Sequence, residues 1–167
     1  MTRLQGLAPL VSPTTRVLVL GSFPGVRSLE LQQYYAHPQN HFWPIARSLW
    51  PQAPWPADGD YAARCACALA QGLGIWDVYA SCERQGSLDA AIRQPQVNDF
   101  ARILALCPQL KLIAHNGGES FKHARHTQAL GVPVVKLPST SPANASWSFE
   151  RKKAAWGAAL DGVLTGR

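Results

Sequence analysis

Val17-Leu18-Val19-Leu20 is a β-branched apolar run with no polar interruption, and it stops at Gly21. So short an unbroken run predicts a strand buried on both faces. Similar runs recur at Leu73-Gly74-Ile75-Trp76-Asp77-Val78, Leu110-Lys111-Leu112-Ile113-Ala114 and Val132-Pro133-Val134-Val135-Lys136-Leu137. Helical spacing fills the intervals. The stretch from Asn98 to Leu106 opens on an N-cap candidate and is followed by Pro108. The stretch from Glu119 to Leu130 is closed by Gly131 at a plausible C′ position, and that from Ser148 to Leu160 sets Trp156 and Leu160 on one face. Strands alternating with helices predict an α/β protein: a three-layer αβα sandwich around a short, mainly parallel central sheet of about four strands. In such sheets ligands bind beyond the carboxyl ends of the strands. Chemistry is therefore expected in Ser22–Ser28, Asp77–Ser87, His115–Glu119 and Pro138–Trp147.

Composition narrows the class. At 167 residues and 47% hydrophobic, the chain fits one compact domain over residues 1–167. It has no internal repeat, and Trp50–Pro56 reads as a surface connection rather than a linker. Met1–Leu7 lacks the apolar core of a signal peptide, and no apolar run is long enough to span a membrane, so a cytoplasmic monomer is expected. Cys65, Cys67, Cys82 and Cys107 have neither a disulfide nor a metal-site pattern and are expected to be buried thiols. No cofactor and no metal are implied. The net charge of +6 favours a polyanionic partner. Residues 102–153 carry eight Lys/Arg against two acids, and residues 58–101 three against six, which predicts a polarised surface.

Three segments could carry chemistry. Gly21-Ser22-Phe23-Pro24-Gly25 follows the first strand but is neither a dinucleotide fingerprint nor a P-loop. It offers a sharp turn able to present backbone N–H groups. In Ala36–Pro44, two prolines bracket Gln39, Asn40, His41, Phe42 and Trp43, concentrating polar and aromatic groups in a constrained stretch. Read alone, it is more readily a buried aromatic anchor at a helix start. Pro38 argues against His37 and His41 forming a helical metal-binding face. Pro138-Ser139-Thr140-Ser141-Pro142-Ala143 is a stiff loop whose hydroxyls and N–H groups could grip phosphates, with Arg151, Lys152 and Lys153 on the next helix adding charge.

In this order the segments resemble the uracil-DNA glycosylase superfamily, and in particular its hypoxanthine (deoxyinosine)-DNA glycosylase branch. Gly74-Ile75-Trp76-Asp77-Val78 and Gly86-Ser87-Leu88-Asp89 are similar to that branch too. The resemblance implies an enzyme that flips a deaminated base, hypoxanthine first, out of double-stranded DNA and hydrolyses its N-glycosidic bond to leave an abasic site. A uracil or mixed-specificity glycosylase and a non-catalytic binder of damaged DNA are the alternatives. Mismatch-specific relatives orient the attacking water with an Asn in the first motif, where this chain has Phe23. The resemblance moves that role to Asn40, puts base stacking at Phe42, and lines the base pocket with Gly21, Ser22, Phe23, Asp77 and Asn116. Asp77 is open to a second reading, as a helix cap or internal ion pair. Leu137 stands where relatives place His or Asn, so the loop keeps its phosphate grip without a side chain for the base, and its wedge candidates are Pro142 and Ala143.

Overall fold

A computed structural model describes residues 2–57 and 59–164. Asp58 and the two ends of the chain lie outside the described residues. In chain order the elements are β1 (Arg3–Gln5), β2 (Val17–Gly21), α1 (Val26–Leu31), α2 (Phe42–Leu49), α3 (Tyr61–Ala70), β3 (Leu73–Asp77), β4 (Tyr79–Glu83) and a 3-10 turn at Asp89–Ala91. After them come β5 (Arg93–Val97), α4 (Ala101–Leu106), β6 (Leu112–Asn116), α5 (Gly118–Phe121), α6 (Ala124–Gln128), β7 (Val134–Leu137) and α7 (Phe149–Leu164).

The central sheet has the order β3-β2-β6-β7, and every pairing in it is parallel. β2, β3 and β6 are buried on both faces because their side chains alternate into two cores, while β7 at the sheet edge is partly buried with Lys136 exposed. Val17 and Val19 join Phe42, Ile45, Ala68 and Trp156 on one side. Leu18 and Leu20 join Trp76, Phe100 and Ile103 on the other. The αβα sandwich expected from the sequence is therefore present, with α2, α3 and α7 over one face.

The boundaries moved for local reasons. β6 starts at Leu112, because the Leu110 N–H closes a turn onto Cys107 at 3.1 Å. The shift brings His115 and Asn116 into the sheet. Pro133 has no N–H to give, and β7 begins after it. The single helix expected from Glu119 to Leu130 is two short ones, α5 and α6, separated at His123, whose ring meets the Tyr79 hydroxyl at 2.9 Å. Asn98 does not cap α4: its Nδ2 donates to the Asp77 carbonyl, and Asp99 Oδ1 accepts the Ala101 N–H. The sequence pattern did not expose a second sheet, β1-β4-β5, antiparallel throughout. All four cysteines are buried free thiols.

Gly74 shows how tightly the chain before β2 is packed on the sheet. A Cβ there would stand 2.8 Å from Thr15 Cγ2, 2.9 Å from Val11 Cγ1 and 3.2 Å from the Leu10 carbonyl. Leu10 also exchanges backbone hydrogen bonds with Ile75. Gly74→Ala should therefore destabilise the protein by roughly 1–3 kcal/mol, the usual cost of overpacking. Urea unfolding measures it, and an unchanged midpoint would contradict the packing described.

Candidate active site

The last residue of each central strand, Gly21, Asp77, Asn116 and Leu137, borders one cavity of about 1130 Å³. This is the carboxyl-end position at which open α/β sheets take their ligands. Gly21 is required at its place. A Cβ there would come within 2.6 Å of Asp77 Oδ1 and 3.2 Å of the Tyr35 hydroxyl, so glycine leaves room for both polar groups over the strand end.

Asn116 fastens the cavity. Its Oδ1 accepts the Thr140 N–H at 3.0 Å, while its Nδ2 donates to Thr140 Oγ1 at 3.0 Å and to the Tyr35 hydroxyl at 3.1 Å. Both amide protons are thereby used inside the protein. Thr140 in turn accepts the His41 N–H at 2.9 Å, tying the Ala36–Pro44 segment to the loop after β7. The neighbouring His115 is fully buried with Ser120 and Thr127 on its two ring nitrogens, and burial lowers it to about 4, so it stays neutral.

Tyr35 lies on the cavity wall with its ring stacked on Phe42, 4.2 Å between centroids and 20° between planes. Its backbone is left-handed, φ 53°, a costly conformation for a bulky residue that the surrounding contacts must enforce. Burial raises its hydroxyl above the ordinary tyrosine range, with Asp77 adding to the effect. Asn40 Oδ1 accepts the Phe42 N–H at 2.9 Å and so serves the start of α2. Among the described residues its Nδ2 has no protein partner, leaving two donors and one acceptor lone pair for a ligand or water.

Opposite, the Ser22–Val26 turn is bolted to the loop after β4. Ser22 Oγ donates to Asp89 Oδ1 at 2.6 Å, the Val26 N–H donates to Ser87 Oγ at 2.9 Å, and Arg84 Nη2 donates to the Pro24 carbonyl at 2.6 Å. Asp77 is buried, and its Oδ2 has no hydrogen-bond partner among the described residues. Burial and then the nearby Asp89 push its carboxyl up to about 7, against the opposing pull of Arg84. No group of His, Cys, Asp and Glu suited to hold a metal ion occurs among the described residues.

The chain that forms this cavity matches known proteins in sequence and in fold. The family model for the uracil DNA glycosylase superfamily matches residues 8–160. The chain belongs to the uracil DNA glycosylase superfamily. The hypoxanthine DNA glycosylase of Methanosarcina barkeri is 32% identical over 156 residues, covering 93% of this chain and 97% of that one. The protein of the same name from Methanosarcina acetivorans is 31% identical over 153 residues, covering 89% and 92%. A solution NMR structure from Methanosarcina acetivorans, of a protein described as a candidate uracil DNA glycosylase, superposes with a TM-score of 0.84 at 29% identity over 97% of this chain and 99% of that one.

Set against the superfamily resemblance, some residues sit where the sequence placed them and others do not. Gly21, Ser22, Phe23, Asn40, Asp77, Asn116 and the segment 138–143 all border the cavity. Phe42 does not. It is 1% exposed, behind Tyr35 and edge-on to Trp43 and Trp156, because the first turn of α2 points it into the core. Tyr35 is the cavity-wall ring that stacks on Phe42, with Tyr34, Phe23 and Trp147 also on the wall; it lies just before the motif that begins at Ala36, and the Tyr34-Tyr35 pair is the signal for it in the sequence. Phe23 is buried in the second core with the Arg84 guanidinium 5.3 Å above its ring, so this position offers no hydrogen-bonding side chain to a water.

Thr140 is wholly buried with its hydroxyl and backbone groups already engaged, so it cannot grip a phosphate. Ser139 and Ser141 accept backbone N–H groups and keep their own protons free, while Pro142 and Ala143 are exposed. Lys152 adds no surface charge either. It is 1% exposed, its Nζ 3.2 Å from His41 Nδ1 and donating to the Ser141 carbonyl at 3.3 Å, whereas Arg151 and Lys153 are exposed. Ser87, Leu88 and Asp89 complete the cavity wall without having been singled out as its residues.

Asp77 carries a stability cost with a defined pH window. Its folded value of about 7 lies above the ordinary 3.8, so the folded protein holds a proton that the unfolded chain releases. The stability this represents is full below pH 4 and is lost as pH rises through 7. Asp77→Asn should therefore raise the unfolding free energy at pH 8 by up to about 4 kcal/mol, with the gain fading towards pH 4. Thermal melts across that range measure it, and a destabilised variant at pH 8 would contradict the burial assigned to this carboxyl.

Proposed function

We propose that the chain excises deaminated bases, hypoxanthine first, from duplex DNA, acting as a monomer in the cytoplasm. The observation that carries this reading is the Tyr35 ring, backed by Phe42 and set in the same cavity as Asn40 and Asp77. A flipped base needs a flat partner to replace the stacking it leaves. An aromatic face supplies about 1–3 kcal/mol, comparable with the few kcal/mol lost on leaving the helix. A damaged pair is weaker, and so leaves more easily. Hypoxanthine is put first because the two relatives above 30% identity are both named hypoxanthine DNA glycosylase, while the solved structure at 29% identity is named for uracil.

Cleavage places positive charge on the sugar and negative charge on the departing base. The cavity contributes fixed hydrogen-bonding groups, which stabilise such charge without having to reorganise. Asn40 is the residue proposed to aim the water. Its Oδ1 is held by a backbone N–H, which orients the side chain, and its Nδ2 remains open. An amide is too weak a base to deprotonate water, so its contribution is placement. Outside the cavity, the proposed phosphate grip rests on Ser139 and Ser141, and the wedge on the exposed Pro142 and Ala143.

Duplexes carrying deoxyinosine, deoxyuridine or deoxyxanthosine, treated with alkali after incubation, test the reading. Strand scission is expected first at deoxyinosine; scission at none of the three would sink it. Asn40→Ala should lower single-turnover excision about 100-fold or more, the range of groups that position a reacting proton or water. An unchanged rate would remove Asn40 from the mechanism. Binding should weaken as salt rises, because phosphate contacts release counterions.

A further inference from the structure

Asp77 departs from the other polar groups of the cavity in a way that fold architecture does not require. Asn116 spends its amide on Tyr35 and Thr140, Ser22 is bonded to Asp89, and Asn40 serves α2. The Asp77 carboxyl, 4% exposed at the end of β3 on the cavity wall, has one oxygen, Oδ2, that is closed to solvent and has no hydrogen-bond partner among the described residues. A lone buried carboxyl is expensive to keep, and such groups persist mainly where a ligand or a reaction uses them. Two features hold it in place: the missing side chain at Gly21, which leaves room for Oδ1, and the Asn98 amide that clamps the Asp77 carbonyl.

The leaving group says what such an oxygen is good for. Once N9 of a purine is released, its ring nitrogens N7 and N3 become basic, and a proton there lets the base depart neutral. Uracil offers no equivalent free ring nitrogen. We propose that Asp77 is the general acid for purine departure, delivering its carboxyl proton to N7 or N3 of the flipped hypoxanthine as the glycosidic bond breaks. This rests on the reading of the cavity as a hypoxanthine-excising site. The C1′–N9 electron pair passes to the base, the Asp77 proton passes to its ring nitrogen, and the water aimed by Asn40 adds its oxygen to C1′. The proton shed by that water, relayed by solvent, restores the acid, so nothing beyond water is consumed.

The surroundings keep the proton available near neutral pH. Asp89 in the 3-10 turn and burial hold the carboxyl protonated, Arg84 beyond β4 opposes them, and Tyr34 and Tyr35 face it as neutral phenols. A general acid works best with its affinity for a proton near the working pH, and such groups contribute about 100-fold to 10,000-fold.

Single-turnover excision of deoxyinosine between pH 5.5 and 9 provides the test, run with about one pH unit between points on wild type and Asp77→Asn. The wild-type rate should fall as pH rises past about 7. The Asn variant, which can hydrogen-bond but has no proton to give, should be at least about 100-fold slower and flat with pH. The same pair is then run on 7-deaza- and 3-deaza-deoxyinosine duplexes. The penalty of the substitution should vanish on the analogue that lacks the receiving nitrogen and persist on the other.

A wild-type rate that is flat or rises with pH overturns the acid role while leaving the functional reading intact. So does a substitution penalty that survives on both analogues. Absence of deoxyinosine excision at every pH overturns both together. The wild-type profile needs no variant, so a folding defect in Asp77→Asn cannot mask the outcome.

Discussion

The cavity depends on Asn116 holding Thr140. Three hydrogen bonds leave this one amide, two to Thr140 and one to the Tyr35 hydroxyl, and the Thr140 carbonyl accepts the His41 N–H. Through these contacts the end of β6, the loop after β7 and the segment leading into α2 become one wall. Lys152 reinforces the joint from beneath, reaching His41 and the Ser141 carbonyl from α7. Buried networks of this kind specify one arrangement when every member is satisfied, and they lose it when one is removed. That is why Asn116, although it borders the cavity, is better understood as its fastening than as a contact for a ligand.

The opposite side of the cavity is built on a different principle. There the Ser22–Val26 turn and the loop through Asp89 are pinned to each other, yet Asp77 between them is left incomplete. The two walls therefore divide the work: one is cross-linked through Asn116 and offers the open amide of Asn40, the other holds the Asp77 carboxyl. Glycine at position 21 is the condition for both, since it makes room for the Asp77 carboxyl and the Tyr35 hydroxyl at once. The stability lost at neutral pH through Asp77 is of the sort active sites commonly tolerate.

The central sheet was legible because strands buried on both faces must be continuously apolar, as Val17–Leu20 is. Its residues at the strand ends followed from topology, and Gly21, Asp77 and Asn116 do converge there. The small second sheet was not legible, because β5 is Arg-Gln-Pro-Gln-Val, polar and largely exposed, with none of the alternation that marks a half-buried strand. Burial of a polar side chain was equally hidden. Lys152 sits among charged neighbours and Thr140 among hydroxyls, and only the positions of distant partners decide that both face inward. The stacked aromatic of the cavity wall was hidden too, since Tyr35 lies in the turn between α1 and α2, seven residues before Phe42 in sequence yet stacked on it in space.

The central claim is that this fastened wall receives a base taken out of the helix. A duplex with 2-aminopurine beside a deoxyinosine bearing a non-cleavable sugar reports that event, because loss of its stacked neighbour raises the fluorescence. Wild type should raise the emission on the damaged duplex and not on an undamaged one. Asn116→Ala, still bound to DNA, should lose most of the rise. Equal emission from damaged and undamaged duplexes, or a full rise with Asn116→Ala, would contradict the account.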